Sequence, residues 1–200
     1  MLIPREKPHL EGLNSYYLHL EKFIEHLQGD IGSGAVYCAS TSLEILTFFN
    51  EEEIISSMLK EKDGHVTVAP SFELVRSRYY SGSFTVKVFY LDQNAIFYWA
   101  QMPPFQRAKA RLRSTEIPLP DLIFRLRMKQ FSGFIEVQLT QKKTEGGVLF
   151  FHEGDRVGGS YTWGKGGMST SNENYNTLLS RVQSGEGIFT FGSFVKEETA

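Results

Sequence analysis

The sequence predicts an α+β protein made of two tandem related units, each a helix packed on a small antiparallel β-sheet with a second helix. Three observations support this fold class. Apolar residues recur at helical spacing in several segments, short apolar runs between polar turns indicate strands, and the chain matches itself when it is shifted by about a hundred positions.

The internal match rests on four landmarks that occur in the same order in both halves. Ser132-Gly133 follows Ser33-Gly34 by 99 positions, and Phe150-Phe151 follows Phe48-Phe49 by 102 positions. The helix pattern Leu20, Phe23, Ile24 and Leu27 returns at Leu119, Leu122, Ile123 and Leu126. Ser81-Gly82, Val86 and Val88 return 103 positions later at Ser184-Gly185, Phe189 and Phe191. We interpret the match as an internal duplication with insertions in turns; the alternative is two generic helix–hairpin units of similar length.

The first half is predicted as an irregular lead-in at residues 1–14 and a first repeat at residues 15–102. A helix is expected from Ser15, because apolar residues share one face as far as Leu27 and glycines follow. Residues 35–39 and 43–49 form a predicted hairpin, and residues 54–59 form either a third strand or a helical turn. Ser71 is expected to cap a short helix through Tyr80. Residues 83–91 and 94–102 are predicted as a second hairpin.

Residues 103–118 are predicted to link the two repeats, because Pro103-Pro104 breaks the preceding strand and a basic stretch follows. Its basic residues at alternate positions are Arg107, Lys109, Arg111 and Arg113. An extended chain would carry all four on one side, where they are candidate contacts for an acidic partner surface. A solvated connector is the alternative interpretation.

The second repeat is predicted at residues 119–195, followed by a polar tail at residues 196–200. Its expected order is a helix at 119–129, a hairpin up to Phe151, a third strand at 156–160, a helix around 173–183 and a last strand at 187–191. Aromatic residues that do not serve the core are candidates for partner contact. Tyr98 and Trp99, expected near a strand end, belong to this class.

Composition excludes several classes of protein. The 200 residues carry a net charge of −2, which argues against a dedicated nucleic-acid binder. The single cysteine, Cys38, excludes an intrachain disulfide framework and is typical of a reducing compartment. The N-terminus has no apolar signal region, and no apolar run reaches the length of a membrane span. We expect a cytoplasmic protein without membrane insertion.

The residue patterns that carry chemistry are all incomplete. The segment 164–170 is similar to a phosphate-binding loop, but Lys165 precedes the glycine pair and no GK[ST] is present. His19 and His26 are too far apart for a chelating pair, and Cys38 lies in an apolar strand as core cysteines do. Arg107 and Arg111 match the RxxxR of PilZ domains, which bind cyclic di-GMP, but the DxSxxG motif is missing. We therefore predict no catalytic residue, no cofactor and no metal site.

One family resemblance emerges from residues 119–192. The motifs that carry it are Leu122-Ile123, Ser132-Gly133, Phe150-Phe151-His152-Glu153-Gly154, Gly158-Gly159-Ser160, Leu178-Leu179 and Gly187-Ile188-Phe189-Thr190-Phe191. In these residues the chain resembles the DUF4388 domain, also called the PATAN domain. Residues 15–102 are similar to a lesser degree, because Glu52 stands where the turn glycine is expected and no G-x-F-x-F follows. The resemblance implies a bacterial signalling context, often beside receiver domains, and interaction with proteins rather than a reaction.

The predicted function is accordingly a non-catalytic protein–protein interaction module in bacterial signal transduction. The partner that the resemblance implies is a response-regulator receiver domain, and a homodimer is compatible with the sequence. The alternative is a domain that senses a small molecule or a nucleotide second messenger, which would need polar groups converging in a pocket between the halves. An enzyme would need a nucleophile–base pair or a metal cluster.

Overall fold

In the computed structural model the chain divides into two units, Met1–Pro104 and Phe105–Ala200. The structure describes residues 1–4, 8–142, 144–164 and 167–195. The predicted polar tail at 196–200 and the loop lysine Lys165 lie outside these ranges. Each unit combines helices with an antiparallel sheet, which confirms the α+β class. No helix in the described ranges has both the length and the apolar character needed to cross a bilayer.

The described residues of the first unit form six strands and three α-helices. The strands are β1 Leu10–Asn14, β2 Gly34–Ala39, β3 Leu43–Phe49, β4 Ile54–Glu61, β5 His65–Val68 and β6 Thr85–Tyr90. The helices are α1 Leu20–Ile31, α2 Phe72–Tyr80 and α3 Gln93–Ala100. Neighbouring strands are antiparallel and lie in the order β1-β6-β2-β3-β4-β5. The segment predicted as a strand or a helical turn is therefore a strand, β4.

Helices α1 and α2 cover one face of this sheet. Leu20, Ile24 and Leu27 of α1 are buried at helical spacing, and Val75 and Tyr79 of α2 join the same cluster. The strands contribute the side chains of one face, which are Val36, Cys38, Ile45, Phe49, Leu59, Val86 and Val88. The predicted start of α1 at Ser15 is wrong, because residues 15–17 form a separate 3₁₀ turn and the α-helix begins at Leu20.

Helix α3 replaces the second strand of the predicted second hairpin, whose first strand is confirmed as β6. The Asp92 side chain accepts a hydrogen bond from the Ala95 amide at 2.8 Å and so caps the helix, and Ile96 and Trp99 are buried one turn apart. The Ser56 hydroxyl donates to the Ala100 carbonyl at 2.9 Å. Ser56 pairs with Phe48 on the face away from α1 and α2, so α3 packs on that opposite face. The aromatic and β-branched residues of this segment favoured a strand prediction, but tertiary packing overrode that preference.

The lead-in at residues 1–14 is not irregular throughout. Residues 10–14 form β1, which pairs with β6 through Leu10 opposite Val88 and Leu13 opposite Val86. Gly12, with a φ of +74°, lies where the register shifts between these two pairs. The bulge interrupts the alternation of apolar residues, so the sequence pattern does not reveal the strand.

In the second unit, the part of the chain that the structure describes forms six strands and two α-helices. The strands are β7 Phe105–Arg107, β8 Leu112–Arg113, β9 Gly133–Leu139, β10 Gly146–His152, β11 Asp155–Tyr161 and β12 Gly187–Phe194, and the helices are α4 Leu119–Met128 and α5 Asn172–Gly185. The strand order is β7-β12-β9-β10-β11, with β8 also paired to β12. Both helices pack on one face, through Leu119, Leu122 and Leu126 of α4 and Leu178 and Val182 of α5.

The predicted linker at residues 103–118 is largely part of the second unit. Gln106 and Arg107 in β7 pair with Ser193 and Gly192, and Leu112 in β8 pairs with Phe189. These pairs satisfy the otherwise open edge of β12. Edge strands this short, paired with a strand far along the chain, show no apolar periodicity in the sequence. The sequence therefore predicted a linker here.

The two units share one topology. The first unit has one additional strand, β5, between β4 and α2. Apart from β5, the chain order α1-β2-β3-β4-α2-β6 recurs as α4-β9-β10-β11-α5-β12, and the strand order β6-β2-β3-β4 recurs as β12-β9-β10-β11. Phe49 lies opposite Gly34 and Phe151 lies opposite Gly133, and each register shifts just before that phenylalanine. The sequence landmarks therefore occupy corresponding places. A common origin of the two units stays a prediction.

Candidate interaction surfaces

Arg107 is a structural residue of the second unit. Its guanidinium forms an ion pair with Glu136 of β9 and lies 5.6 Å from the centre of the Phe134 ring. Glu136 is buried and also accepts a hydrogen bond from the Thr190 hydroxyl at 3.3 Å. A buried carboxylate needs such partners, because the apolar surroundings penalise its charge. Arg107 therefore neutralises an internal charge instead of lying with the other basic residues on a common outer side.

The other three basic residues of this segment are on the surface. Lys109 and Arg111 lie between β7 and β8, and Arg113 ends β8; all three side chains are exposed. The strand is interrupted between residues 107 and 112, so the spacing of two does not align the four charges. The predicted stripe is wrong for Arg107, while the remaining three stay candidate partner contacts.

Tyr98 and Trp99 lie on α3, away from any strand end. The Trp99 side chain is only 1% exposed, and the Tyr98 ring meets it edge to face with centroids 5.7 Å apart. Burial raises the pKa of the Tyr98 hydroxyl. These two aromatics therefore serve the interior, and the exposed aromatic of the helix is their neighbour Phe97, at 55% exposure.

An apolar surface that the sequence analysis missed lies on the outer face of α4. Phe124 is 63% exposed and Met128 is 71% exposed, and their spacing of one helical turn places them side by side. Arg125 and Lys129 flank them, and both are exposed. We call these four residues the α4 surface. The detectable signal was a pair of large apolar residues outside the stripe formed by Leu119, Leu122 and Leu126.

The corresponding helix of the first unit provides an internal control for this surface. In the 99-position register Leu20 and Leu27 of α1 match the buried Leu119 and Leu126 of α4. The same register places the exposed Glu25 and Gly29 at the positions of Phe124 and Met128. Because α1 packs on its sheet with polar and small residues at these places, the shared fold does not require large apolar side chains there.

The chain around the α4 surface is strongly basic. Residues 107–129 contain seven lysine and arginine residues against two acidic residues, Glu116 and Asp121, in a protein whose net charge is −2. Arg107 is neutralised by Glu136, and Arg127 lies 3.4 Å from the Asp155 carboxylate. Arg125 and Lys129 form no ion pair with any residue that the structure describes. The net positive charge favours an acidic partner.

A surface of opposite charge lies in the first unit, beside the turn between β3 and β4. A hollow of about 220 Å³ is lined by Ser33, Asn50, Glu51, Glu52, Gln93, Ile96 and Phe97. We call it the acidic pocket. Glu51 and Glu52 are exposed and form no ion pair with the part of the chain that the structure describes, and Phe97 supplies an apolar wall.

The first unit also holds a partly buried carboxylate, Glu44 of β3. It accepts hydrogen bonds from the Tyr37 hydroxyl at 2.7 Å and from the N-terminal ammonium of Met1 at 2.9 Å, and it pairs with Lys60. Burial raises the pKa of Glu44, but the hydrogen bonds from Lys60, Met1 and Tyr37 outweigh it and lower the pKa to about 2. Glu44 is therefore a charged structural group of the sheet.

The residues considered for chemistry occupy structural or surface positions. Cys38 is buried, and burial raises the pKa of its thiol to about 12, so the reactive thiolate is disfavoured. His19 lies 3.2 Å from the Glu21 carboxylate on the surface, and His26 and His152 are exposed. Within the described ranges no three histidine, cysteine or acidic side chains are placed to hold a metal ion.

Comparison of the chain with protein-family models, with curated proteins and with solved structures finds no match.

Proposed function

We propose that this chain is a non-catalytic protein–protein interaction module of bacterial signal transduction, acting in the cytoplasm, and that the α4 surface binds its partner. The observation that carries the proposal is the exposure of Phe124 and Met128 where the corresponding helix α1 has Glu25 and Gly29. Large apolar side chains grouped on a surface without a role in the fold are typical of binding sites.

The charges around this surface define the chemistry of the partner. Arg125 and Lys129 border the apolar pair, and Lys109, Arg111 and Arg113 add further exposed positive charge in the same unit. A partner with an acidic, partly apolar surface would bury Phe124 and Met128 and be steered by these charges. The resemblance to DUF4388 domains supports the signalling context, and a receiver domain is the partner class that it implies.

The test compares capture of proteins from the native host by the wild-type chain and by the double variant Phe124→Ala/Met128→Ala. The matched control is Glu25→Ala on α1, which changes the corresponding exposed position of the other unit. We expect one or more acidic proteins to bind the wild type and the control but not the double variant, and the purified partner to bind more weakly at higher ionic strength. Equal capture by all three chains would contradict the role of the α4 surface.

A second candidate function, the sensing of an anionic small molecule such as a nucleotide second messenger, is favoured by a hollow in the first unit. This hollow of about 460 Å³ is lined by Ser40, Thr41, Ser42, Leu43, Glu61, Lys62, Arg78, Ser81, Gly82, Ser83 and Phe84. The hydroxyls and Lys62 are suitable donors for phosphate, and Arg78 can join them by exchanging the Glu61 carboxylate, 3.5 Å away, for the ligand. Calorimetric titration with a panel of cyclic dinucleotides and nucleoside phosphates tests this function, with Arg78→Ala as the variant expected to lose binding. An absence of heat with every compound would eliminate it for that panel.

A further inference from the structure

We infer that the α4 surface of one molecule binds the acidic pocket of a second copy of this chain. The inference rests on the proposed function, since it names a partner for the same surface. It follows from three comparisons of the two surfaces. Both carry apolar side chains, the hollow is large enough for a side chain of α4, and the charges of the two surfaces are opposite.

Both surfaces offer apolar side chains that a partner can cover. Phe124 and Met128 project from α4, whereas the exposed Phe97 lines the hollow beside the β3–β4 turn, next to the buried Ile96. Phe124, Met128 and Phe97 are each more than half exposed within the single chain, so they are accessible to another molecule. Burial of clustered aromatic and methionine side chains provides most of the affinity in many protein interfaces.

The size of the acidic pocket suits one large side chain of the α4 surface. The hollow has a volume of about 220 Å³, is open to solvent and is lined by more polar than apolar residues, and a benzene ring fits in roughly 150 Å³. The ring of Phe124 or the thioether of Met128 can therefore enter beside Phe97. Met128, being unbranched and flexible, can adapt to an irregular wall of this kind.

The charges of the two surfaces are opposite. Arg125 and Lys129 flank the apolar pair of α4, and Glu51 and Glu52 line the pocket. None of these four side chains forms an ion pair with a residue in the described ranges, so each can pair with a second copy without breaking an existing bridge. Complementary charges of this kind speed association and fix the orientation in which the apolar residues meet.

The contact joins two different surfaces, so its geometry decides the form of the assembly. A two-fold dimer would use both surfaces of both copies, each pocket receiving the helix of the other molecule. A contact that does not close would add further copies, and the average mass would then rise continuously with concentration.

The experiment measures the mass of the full chain by sedimentation velocity, over a range of concentrations and at low and physiological salt. Three double variants are compared with the wild type: Phe124→Ala/Met128→Ala, Arg125→Glu/Lys129→Glu and Glu51→Lys/Glu52→Lys. We expect a reversible, salt-sensitive self-association of the wild type that each variant weakens at least about tenfold. Lys22→Glu/Lys62→Glu, which changes the net charge as much as Arg125→Glu/Lys129→Glu does but on exposed side chains of the first unit, is expected to associate like the wild type.

The decisive measurement is an equimolar mixture of the two charge-reversed chains. Each surface then meets an oppositely charged counterpart again, so the mixture is expected to associate although neither chain does so alone. A wild type that stays monomeric at all concentrations, or a mixture that does not associate, would overturn the inference.

If a monomeric wild type still captures a host protein through Phe124 and Met128, the proposed function survives and the second copy is not the partner. If self-association occurs but no host protein depends on Phe124 and Met128, the surface serves assembly alone.

Discussion

The β3–β4 turn of the first unit and the β10–β11 turn of the second occupy the same place in two sheets of the same strand order, yet they are built differently. In the second unit Glu153 and Gly154 have φ values of +47° and +87°, as a two-residue type I′ turn requires. In the first unit Glu51 and Glu52 have ordinary negative φ angles. There the Asn50 side chain accepts hydrogen bonds from the Glu52 and Glu53 amides, at 2.9 and 2.8 Å, and holds the turn.

This difference explains why the first unit has Glu52 at the position where the second unit has Gly154. A Cβ on Gly154 would come within 2.6 Å of the Arg127 carbonyl oxygen, so α4 approaches its turn too closely for a side chain. The first unit avoids this conflict through the asparagine turn, and its turn can carry exposed carboxylates. The comparison teaches that the two units have the same register although the surface chemistry at the corresponding corner differs. In one unit that corner is acidic, and in the other the adjacent helix is basic and apolar.

The largest expected loss of stability comes from truncating the buried phenylalanine that each unit has at the same place in its sheet. Phe49→Ala and Phe151→Ala each truncate a fully buried ring opposite a glycine, and each should destabilise its own unit by about 3–5 kcal/mol. The protein has two tryptophans, Trp99 in the first unit and Trp163 in the second, so a Trp→Phe change at either leaves one reporter. Urea unfolding followed by fluorescence then measures each unit. A negligible shift for either variant would show that the two phenylalanines are not equivalent.

The next prediction separates Arg107 from its basic neighbours. Arg107→Gln leaves the buried Glu136 without its cation and should destabilise the second unit by about 2–4 kcal/mol. Arg111→Gln and Arg113→Gln, on exposed side chains, should change stability by no more than about 0.5 kcal/mol. The double variant Arg107→Leu/Glu136→Leu should recover most of the loss, since it removes both charges. Thermal and urea unfolding decide between these outcomes, and equal effects at all three arginines would refute the structural role of Arg107.

The next smaller effect is on the pH dependence of the unfolding free energy, which we expect Glu44 of the first unit to influence. The pKa of Glu44 is lowered to about 2 in the folded chain, against roughly 4.3 in an unfolded one. A depressed folded pKa contributes stability that is fully present above the unfolded value and is lost as the pH falls through the folded value. Between pH 5 and pH 2 the wild type should therefore lose about 2–3 kcal/mol more than Glu44→Gln does. If the unfolding free energies of the two chains change in parallel with pH, the pKa of Glu44 is not lowered by folding.

The smallest effects test the two turns themselves. Gly154→Ala should destabilise the second unit by about 2 kcal/mol, because it combines a positive φ with a backbone clash. Asn50→Ala should cost the first unit about 1 kcal/mol through the two lost hydrogen bonds, whereas Glu52→Ala should change little. Urea midpoints of the single-tryptophan chains measure all three. A large loss for Glu52→Ala would mean that the first turn depends on that carboxylate rather than on Asn50.

Local patterns in the sequence predicted a large part of the fold. The helical spacing of Leu119, Leu122 and Leu126 predicted α4, and the landmarks at Gly34, Phe49, Gly133 and Phe151 predicted residues that the strand registers place in corresponding positions. These features are determined within one element or one hairpin, where apolar period and turn chemistry act over a few residues.

Tertiary structure decided what local patterns could not. The aromatic segment around Trp99 became a helix because its buried residues pack on the second face of the first sheet, and residues 105–113 became edge strands because β12 offered unpaired backbone groups. Arg107 turned inward because Glu136, distant in sequence, needed a partner. The α4 surface emerged only when burial assigned Leu122 and Leu126 to the core and left Phe124 and Met128 outside. The sequence specifies the type of each side chain, but whether a side chain is buried or exposed depends on which distant elements pack against it.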